Sequence, residues 1–321
     1  MRLATRANGT PDGELVVVSH DGARCLPAGE RMASLLAAIT QWDHAVGELE
    51  SLSARLERGE GEALDTQALL APMPRSWQWL DGSVFQTHAD LMQVAFDTDP
   101  LEPERPLMYQ GMSDRFLGPG EDAAFADEAG GIDFEGEFGV IVDAVPMGIG
   151  AEEAMQHIRL VVQINDWSLR AIAPIEMKTG FGWVQAKPAC SMAPFALTPD
   201  ELGDGWRDGR VCLELAIDWN GEQFGTANGR EMAFGFHELV AHAARTRDLM
   251  AGTIIGSGTV SSADYAKVGS SCISERRAIE MIDTGAIATQ FMRFGDRIRM
   301  AGRAADGSTP FGVLEQRVVA A

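Results

Sequence analysis

From Ser76 to its end the chain is written in short apolar runs broken by glycine-rich turns, with only two short helical patterns among them. Residues 138–142, 159–164 and 211–217 read as strands, the last alternating Val211, Leu213, Leu215 and Ile217. Further strands are expected at 253–255, 278–282 and 296–300, and helices at 151–157 and 238–250. So many strands with so few helices between them argue against repeated βαβ units and for a β-rich α+β fold. The earlier part differs. Residues 15–19 form a β-branched run and Asp21-Gly22 is a turn signal, so the first 25 residues read as a hairpin. Met32, Leu35, Leu36, Ile39, Trp42, Val46, Leu49, Leu52 and Leu56 then recur at spacings of three and four, which predicts one long packing helix stopped by Gly59. Ala71-Pro72-Met73-Pro74 has the composition of a linker and divides residues 1–72 from residues 73–321.

The 321 residues, 45% of them hydrophobic, are enough for a large core. The net charge of −21 disfavours nucleic acid and anionic membranes as partners, and leaves carboxylates available to divalent cations even though most serve solvation. Residues 1–18 lack a secretory pattern, and no apolar run reaches the roughly 18–20 residues that span a bilayer. Cys25, Cys190, Cys212 and Cys272 are scattered, which excludes a disulfide framework or zinc knuckle and leaves a reducing cytoplasm as the expected compartment.

Chemistry concentrates in a few segments. In Asp133-Phe134-Glu135-Gly136-Glu137-Phe138, an extended backbone puts Glu135 and Glu137 on one face. Neighbouring carboxylates repel and call for a cation or protons, and hard oxygen donors suit Mg²⁺, Ca²⁺ or Mn²⁺. Glu48-x-Glu50 and Glu60-x-Glu62 share that spacing, so the pair alone decides little. Asn165-Asp166-Trp167-Ser168-Leu169-Arg170 follows an apolar strand; Asp166 is either a further oxygen ligand or a turn cap paired with Arg170. His88 lies seven residues after Asp81, and imidazole is the natural general base near neutral pH. The other five histidines show no acidic partner in sequence that selects them. Gly256-Ser257-Gly258-Thr259-Val260-Ser261 is either a tight turn or a cradle for a carboxylate; it lacks the ending of a phosphate loop. Lys187 is by itself a surface charge.

Taken in order, these segments resemble the fumarylacetoacetate hydrolase family over nearly the whole chain. The resemblance rests on the E-x-E of Glu135 and Glu137, the N-D-W-S-x-R run from Asn165 to Arg170, the G-T-V-S run from Gly258 to Ser261, and Met108-Tyr109-Gln110-Gly111, which is similar to the family's substrate-side loop. It implies a small SH3-like N-terminal domain followed by a larger mixed β-roll or β-sandwich domain, and a homodimer. It also implies a divalent metal, Mg²⁺ or Ca²⁺ with Mn²⁺ as a further choice, held by Asp81, Glu135, Glu137 and Asp166. His88 becomes the base and Glu275 its orienting partner, although the interval from Thr259 to Glu275 is two residues longer than usual. Lys187 and Arg170 become oxyanion stabilisers, and Tyr109 and Thr259 substrate contacts.

The activity implied is hydrolysis of a carbon–carbon bond in a β-diketone acid, foremost fumarylacetoacetate to fumarate and acetoacetate, a step of tyrosine degradation. Alternatives are hydrolysis of an acylpyruvate such as fumarylpyruvate, or decarboxylation or isomerisation of a β-keto acid on the same scaffold. The substrate-holding pattern departs from that of fumarylacetoacetases. Ala173 and Met177 stand where those enzymes carry Gln and Tyr, and Asp97 where they carry Arg.

Overall fold

Strand side chains alternate between two apolar clusters. Val140 and Val142 enter one and Ile141 the other; Val161 enters the first, while Leu160, Val162 and Ile164 enter the second. This period of two is what a sheet buried on both faces requires, and it explains the nearly unbroken apolar runs in the sequence. In the computed structural model, which describes residues 1–96 and 105–321, the chain is a strand-rich mixed α/β molecule with two large mixed sheets.

The larger sheet has 11 strands. Its centre carries the site. Gly136–Val142 pairs antiparallel with Ile158–Asn165 on one side and with Ile254–Gly256 on the other. Ile254–Gly256 continues parallel to Trp79–Ser83, which pairs with Leu107–Gly111 at the edge. Towards the opposite edge Ala196–Leu197 joins Ile158–Asn165 to Arg2–Arg6, and Glu14–Val18, Arg24–Pro27 and Glu62–Ala63 follow. The N-terminal strands therefore extend the same sheet. The second sheet runs Glu222–Asn228, Glu214–Trp219, Arg297–Arg303, Leu314–Ala320 and Ala123–Phe125. Its Leu215, Ile217, Ile298, Met300 and Leu314 fill the first cluster together with Phe134 and Phe138.

Helices cover the other face. Leu35, Ile39, Trp42, Leu49 and Leu56 pack with Leu15, Val17 and Leu160 in the second cluster. The expected long helix is two: Leu35–Thr40, capped by the Ser34 hydroxyl, and Trp42–Glu57. The backbone breaks at Gln41, and the apolar spacing continues across the break because both helices face the same core.

Several expected elements differ. Residues 278–282, expected as strand, lie inside the helix Ile273–Thr284; their apolar residues are too few to distinguish the two periods. The run 211–217 is interrupted, since Arg210–Val211 belongs to a two-stranded hairpin and the sheet strand starts at Glu214. The first 25 residues hold more than a hairpin, because Asp21-Gly22 turns between the second and third strands. The helix expected at 238–250 is Phe236–Ala243, and that expected at 151–157 finishes as a 3₁₀ turn, Met155–His157. Residues 108–111, expected as loop, lie in the strand Leu107–Gly111. Among the described residues no helix is long and apolar enough to cross a membrane.

Candidate active site

Three strands at the centre of the large sheet deliver three carboxylates. Asp81 lies on Trp79–Ser83, Glu137 on Gly136–Val142, and Asp166 directly follows Ile158–Asn165. Adjacent strands lie about 4.8 Å apart, and the strands of Asp81 and Glu137 flank Ile254–Gly256, whose Gly256 puts no side chain between them. Oxygens of Asp81, Glu137 and Asp166 lie within 4.8 Å of one another, and all three residues are buried. Gly256 stands beside Asp81 in register and makes room for it: a Cβ there would sit 2.3 Å from Asp81 Oδ1. Gly258, at φ +77°, bends the chain so that its N–H donates to Asp81 Oδ1 at 3.0 Å. The glycine-rich segment does cradle a carboxylate, and that carboxylate is the protein's own. The Val260 N–H is likewise given to Gly136 O, while Thr259 is buried between them.

Cations flank the cluster. Lys187 Nζ, itself buried, donates to Asp166 Oδ2 at 2.7 Å and to Glu135 Oε2 at 2.8 Å. Arg170 donates through Nε to Asp133 Oδ2 at 2.8 Å and through its other arm to Glu135 Oε1. The alternative pairing of Arg170 with Asp166 is thus not adopted. The Tyr109 hydroxyl donates to Asp166 Oδ2, and its ring lies under Lys187 Nζ, 5.2 Å from ring centre to nitrogen.

Burial acts on this group in opposite senses. Desolvation, then the charge of Asp166, pushes the Asp81 carboxyl well above its ordinary range. Desolvation and the charges of Asp81, Asp166 and Glu135 push Glu137 the same way. Glu135 is also desolvated, but Arg170 and Lys187 outweigh that and hold it far below the usual value. Both Glu137 oxygens are buried without a hydrogen-bond partner. Three converging hard donors, two of which resist ionising and one of which has both oxygens orphaned, fit a divalent cation. The fourth expected ligand, Glu135, is differently placed. Its Oε1 accepts from Arg170, and its Oε2 accepts from the same Lys187 Nζ that binds Asp166, so it borders the other three carboxylates.

The imidazole is supplied by a helix. His88 lies in the first turn of Gln86–Phe96, which packs against Ile273–Thr284. His88 Nδ1 lies 2.8 Å from Glu275 Oε2, and Glu275 is completely buried. His88 is also close enough to act electrostatically on Glu135, so the dyad borders the carboxylate group. Glu275 stands in the first turn of its helix, where aligned N–H groups favour a negative charge. All ten expected site residues therefore lie in two adjoining groups or, for Thr259, in the segment that bears on Asp81.

Two participants escape a reading by residue type. Asp133 binds Arg170 and also accepts from Ile273 N and Ser274 N at 2.7 and 2.9 Å. Its signal is present in the alternation of Asp133, Glu135 and Glu137. Cys190 Sγ lies 2.9 Å from Asp166 Oδ1, for which a scattered cysteine gives no signal. Two other histidines do have acidic partners, distant in sequence: His20 with Glu201 and His157 with Asp143. Of the departures noted in the substrate-holding pattern, Ala173 and Met177 lie on the helix Ala173–Thr179 with Met177 exposed, and Asp97 lies outside the described residues.

Comparison with known proteins bears on this arrangement. Residues 78–319 match the family described as Fumarylacetoacetate (FAA) hydrolase C-terminal, and residues 1–75 match Fumarylacetoacetase N-terminal domain 2. A 2,4-didehydro-3-deoxy-L-rhamnonate hydrolase of Sphingomonas sp. (strain SKA58) is 25% identical over 160 residues, 49% of this chain and 53% of that protein. The human mitochondrial oxaloacetate tautomerase FAHD2A is 23% identical over 165 residues, 49% of each. The chain thus spans about half the length of these curated relatives. Among solved structures, maleylpyruvate hydrolase from Sphingobium sp. SYK-6, in complex with manganese (II) ion and pyruvate, superposes with a TM-score of 0.67 at 17% identity, covering 100% of this chain and 99% of that one. The strand order, the convergent carboxylates and the two family matches lead to one conclusion: the chain belongs to the fumarylacetoacetate hydrolase family, whose scaffold carries hydrolases and tautomerases among its relatives.

Proposed function

We propose that this chain is a divalent-metal-dependent hydrolase that cleaves a carbon–carbon bond in a small β-diketone acid, with 2,4-diketo acids (acylpyruvates) as its substrate class and fumarylacetoacetate as the alternative. The observation that carries this reading is the His88–Glu275 pair, 2.8 Å apart, beside a carboxylate cluster that fits a cation. The complex of a maleylpyruvate hydrolase with manganese and pyruvate supports the acylpyruvate class. The departures at Ala173 and Met177 weigh against fumarylacetoacetate itself.

Asp81, Glu137 and Asp166, with Glu135 as a neighbouring carboxylate, would hold a divalent cation, which when bound would supply polarisation of the diketone and charge stabilisation for the enolate product. Glu275 holds the proton on His88 Nδ1 and leaves Nε2 to accept one from water. Lys187 and Arg170 offset the charge that grows on the attacked carbonyl oxygen, an effect of about 3 kcal/mol per well-placed donor. The carbon–carbon bond then breaks, and the imidazolium returns its proton to the leaving carbon. Tyr109 and Thr259 stand as substrate contacts.

The test is turnover of an acylpyruvate panel with Mg²⁺ or Mn²⁺. His88→Ala should lower kcat by about 10²–10⁴-fold. Undiminished hydrolysis by that variant removes the base from the scheme. A second reading, tautomerisation of a β-keto acid, is favoured by the human relative's name. It replaces the first if the protein interconverts oxaloacetate tautomers, leaves every diketone acid intact and is indifferent to His88→Ala.

A further inference from the structure

One buried carboxylate in this region has no part in the scheme above, yet touches both halves of it. Asp133 is completely inaccessible to solvent. Its Oδ1 accepts from Ile273 N at 2.7 Å; its Oδ2 accepts from Ser274 N at 2.9 Å and from Arg170 Nε at 2.8 Å. Ile273 and Ser274 are the first two residues of the helix Ile273–Thr284, and Glu275 is the third. The N–H groups of a first turn have no partner within their own helix, so whatever accepts from them fixes how the helix starts. The cap residue itself, Cys272, offers only a sulfur to Glu275 N, at 3.2 Å, which is a weak acceptor. Asp133 therefore supplies from a distant strand the cap that the local sequence lacks. The same carboxylate holds the guanidinium whose other arm binds Glu135.

We propose that Asp133 is a positioning residue: by clamping the first turn of Ile273–Thr284 against Arg170, it sets the His88–Glu275 pair in register with the Glu135–Lys187 side of the site. The Asp133 side chain reaches two backbone N–H groups and one guanidinium, a demand that three lone-pair directions of a carboxylate meet and an amide cannot. In Asp133→Asn one oxygen still serves Ile273 N, while the new NH₂ faces the donors of Ser274 and Arg170. The inference rests on the reading of His88 as base, and its experiments are chosen to separate the two.

In the full chain loaded with Mn²⁺, Asp133→Asn should lower kcat for an acylpyruvate by about 10–100-fold, with KM and Mn²⁺ affinity changed less than about threefold. On a Glu275→Ala background, where there is no carboxylate left to aim, the same change should cost less than about threefold more. Full additivity, or an unchanged kcat in Asp133→Asn, overturns the proposal. A readout independent of turnover is the Nδ1 proton of His88 in histidine-labelled protein, expected to be hydrogen-bonded in the wild type and weakened in Asp133→Asn. If no diketone acid is consumed by the wild type, the hydrolase reading falls, and this resonance alone still decides Asp133. Should Asp133→Asn fail to fold, amide hydrogen exchange of the unaltered protein decides: Ile273 and Ser274 amides should exchange as slowly as the sheet core. Rapid exchange there means that no clamp exists.

Discussion

At Glu137 two buried oxygens face Asp81 and Asp166 with no donor between them. Without a cation the ionised form is disfavoured there, because desolvation and like charge act together to push the carboxyl towards its protonated form. Glu137→Gln should therefore stabilise the metal-free chain by about 1 kcal/mol or more, since a neutral amide can donate where a carboxylate repels. The same change should abolish the rise in melting temperature given by Mn²⁺ or Mg²⁺, which for the wild type corresponds to about 2.7 kcal/mol at a hundred times Kd. Thermal melts with and without metal check both halves. A Gln variant that is less stable than wild type in chelator would show that Glu137 finds donors of its own. Asp133→Ala belongs at this scale too. It leaves Arg170 short of a partner and two helix N–H groups bare, at a cost of about 3–5 kcal/mol in denaturant unfolding.

Among elements, the strand Ile254–Gly256 matters for what it omits. It lies between the strands of Asp81 and Glu137, and its last residue has no side chain to stand between the two carboxylates. Gly256→Ala would drive a methyl group to 2.3 Å from both Asp81 Oδ1 and the Trp79 ring. The expected result is a loss of about 1–3 kcal/mol in stability with a weakened metal titration, measurable by melting and by calorimetry. This is also the scale at which the sequence is least legible. The strand at 138–142 and the motifs around Glu137 and Asp166 could be read because apolar alternation and carboxylate spacing are local. The helix under His88 was not expected, since Gln86–Phe96 carries a mixed pattern with little contrast between its faces. The fate of Glu135 was hidden for another reason. Whether a carboxylate meets a metal or a guanidinium depends on Arg170 and Lys187, which are 35 and 52 residues away. For Asp133 only the alternation with Glu135 and Glu137 is legible, because its backbone N–H partners have no letter in a sequence.

Across the whole molecule, charge and connectivity set the remaining expectations. Glu201 pairs with Arg2 and lies 2.8 Å from His20 Nδ1. Burial raises its carboxyl, but the cationic neighbours outweigh burial and hold it below the ordinary value of 4.5. A carboxyl lowered in the folded state contributes stability above its unfolded value and loses it as pH falls through the folded one. Glu201→Gln should thus be less stable than wild type at pH 6, and the difference should shrink as the pH falls below 4.5 and be lost as it passes through the lowered folded-state value. Urea midpoints at pH 6 and in acid test the sign. A gap that widens in acid would mean the carboxyl is favoured protonated.

The pairing of Arg2 with Leu197 and Leu3 with Ala196 has a consequence for how the protein is made. One edge of the strand Arg2–Arg6 pairs with the nearby Glu14–Val18, but its other edge waits for nearly two hundred further residues before Ala196–Leu197 exists, and until then that edge is open. Synthesis of this chain is therefore a race between late pairing and early stickiness. A pause or truncation anywhere before Leu197 should leave a nascent product that depends on chaperones, however sound the finished fold.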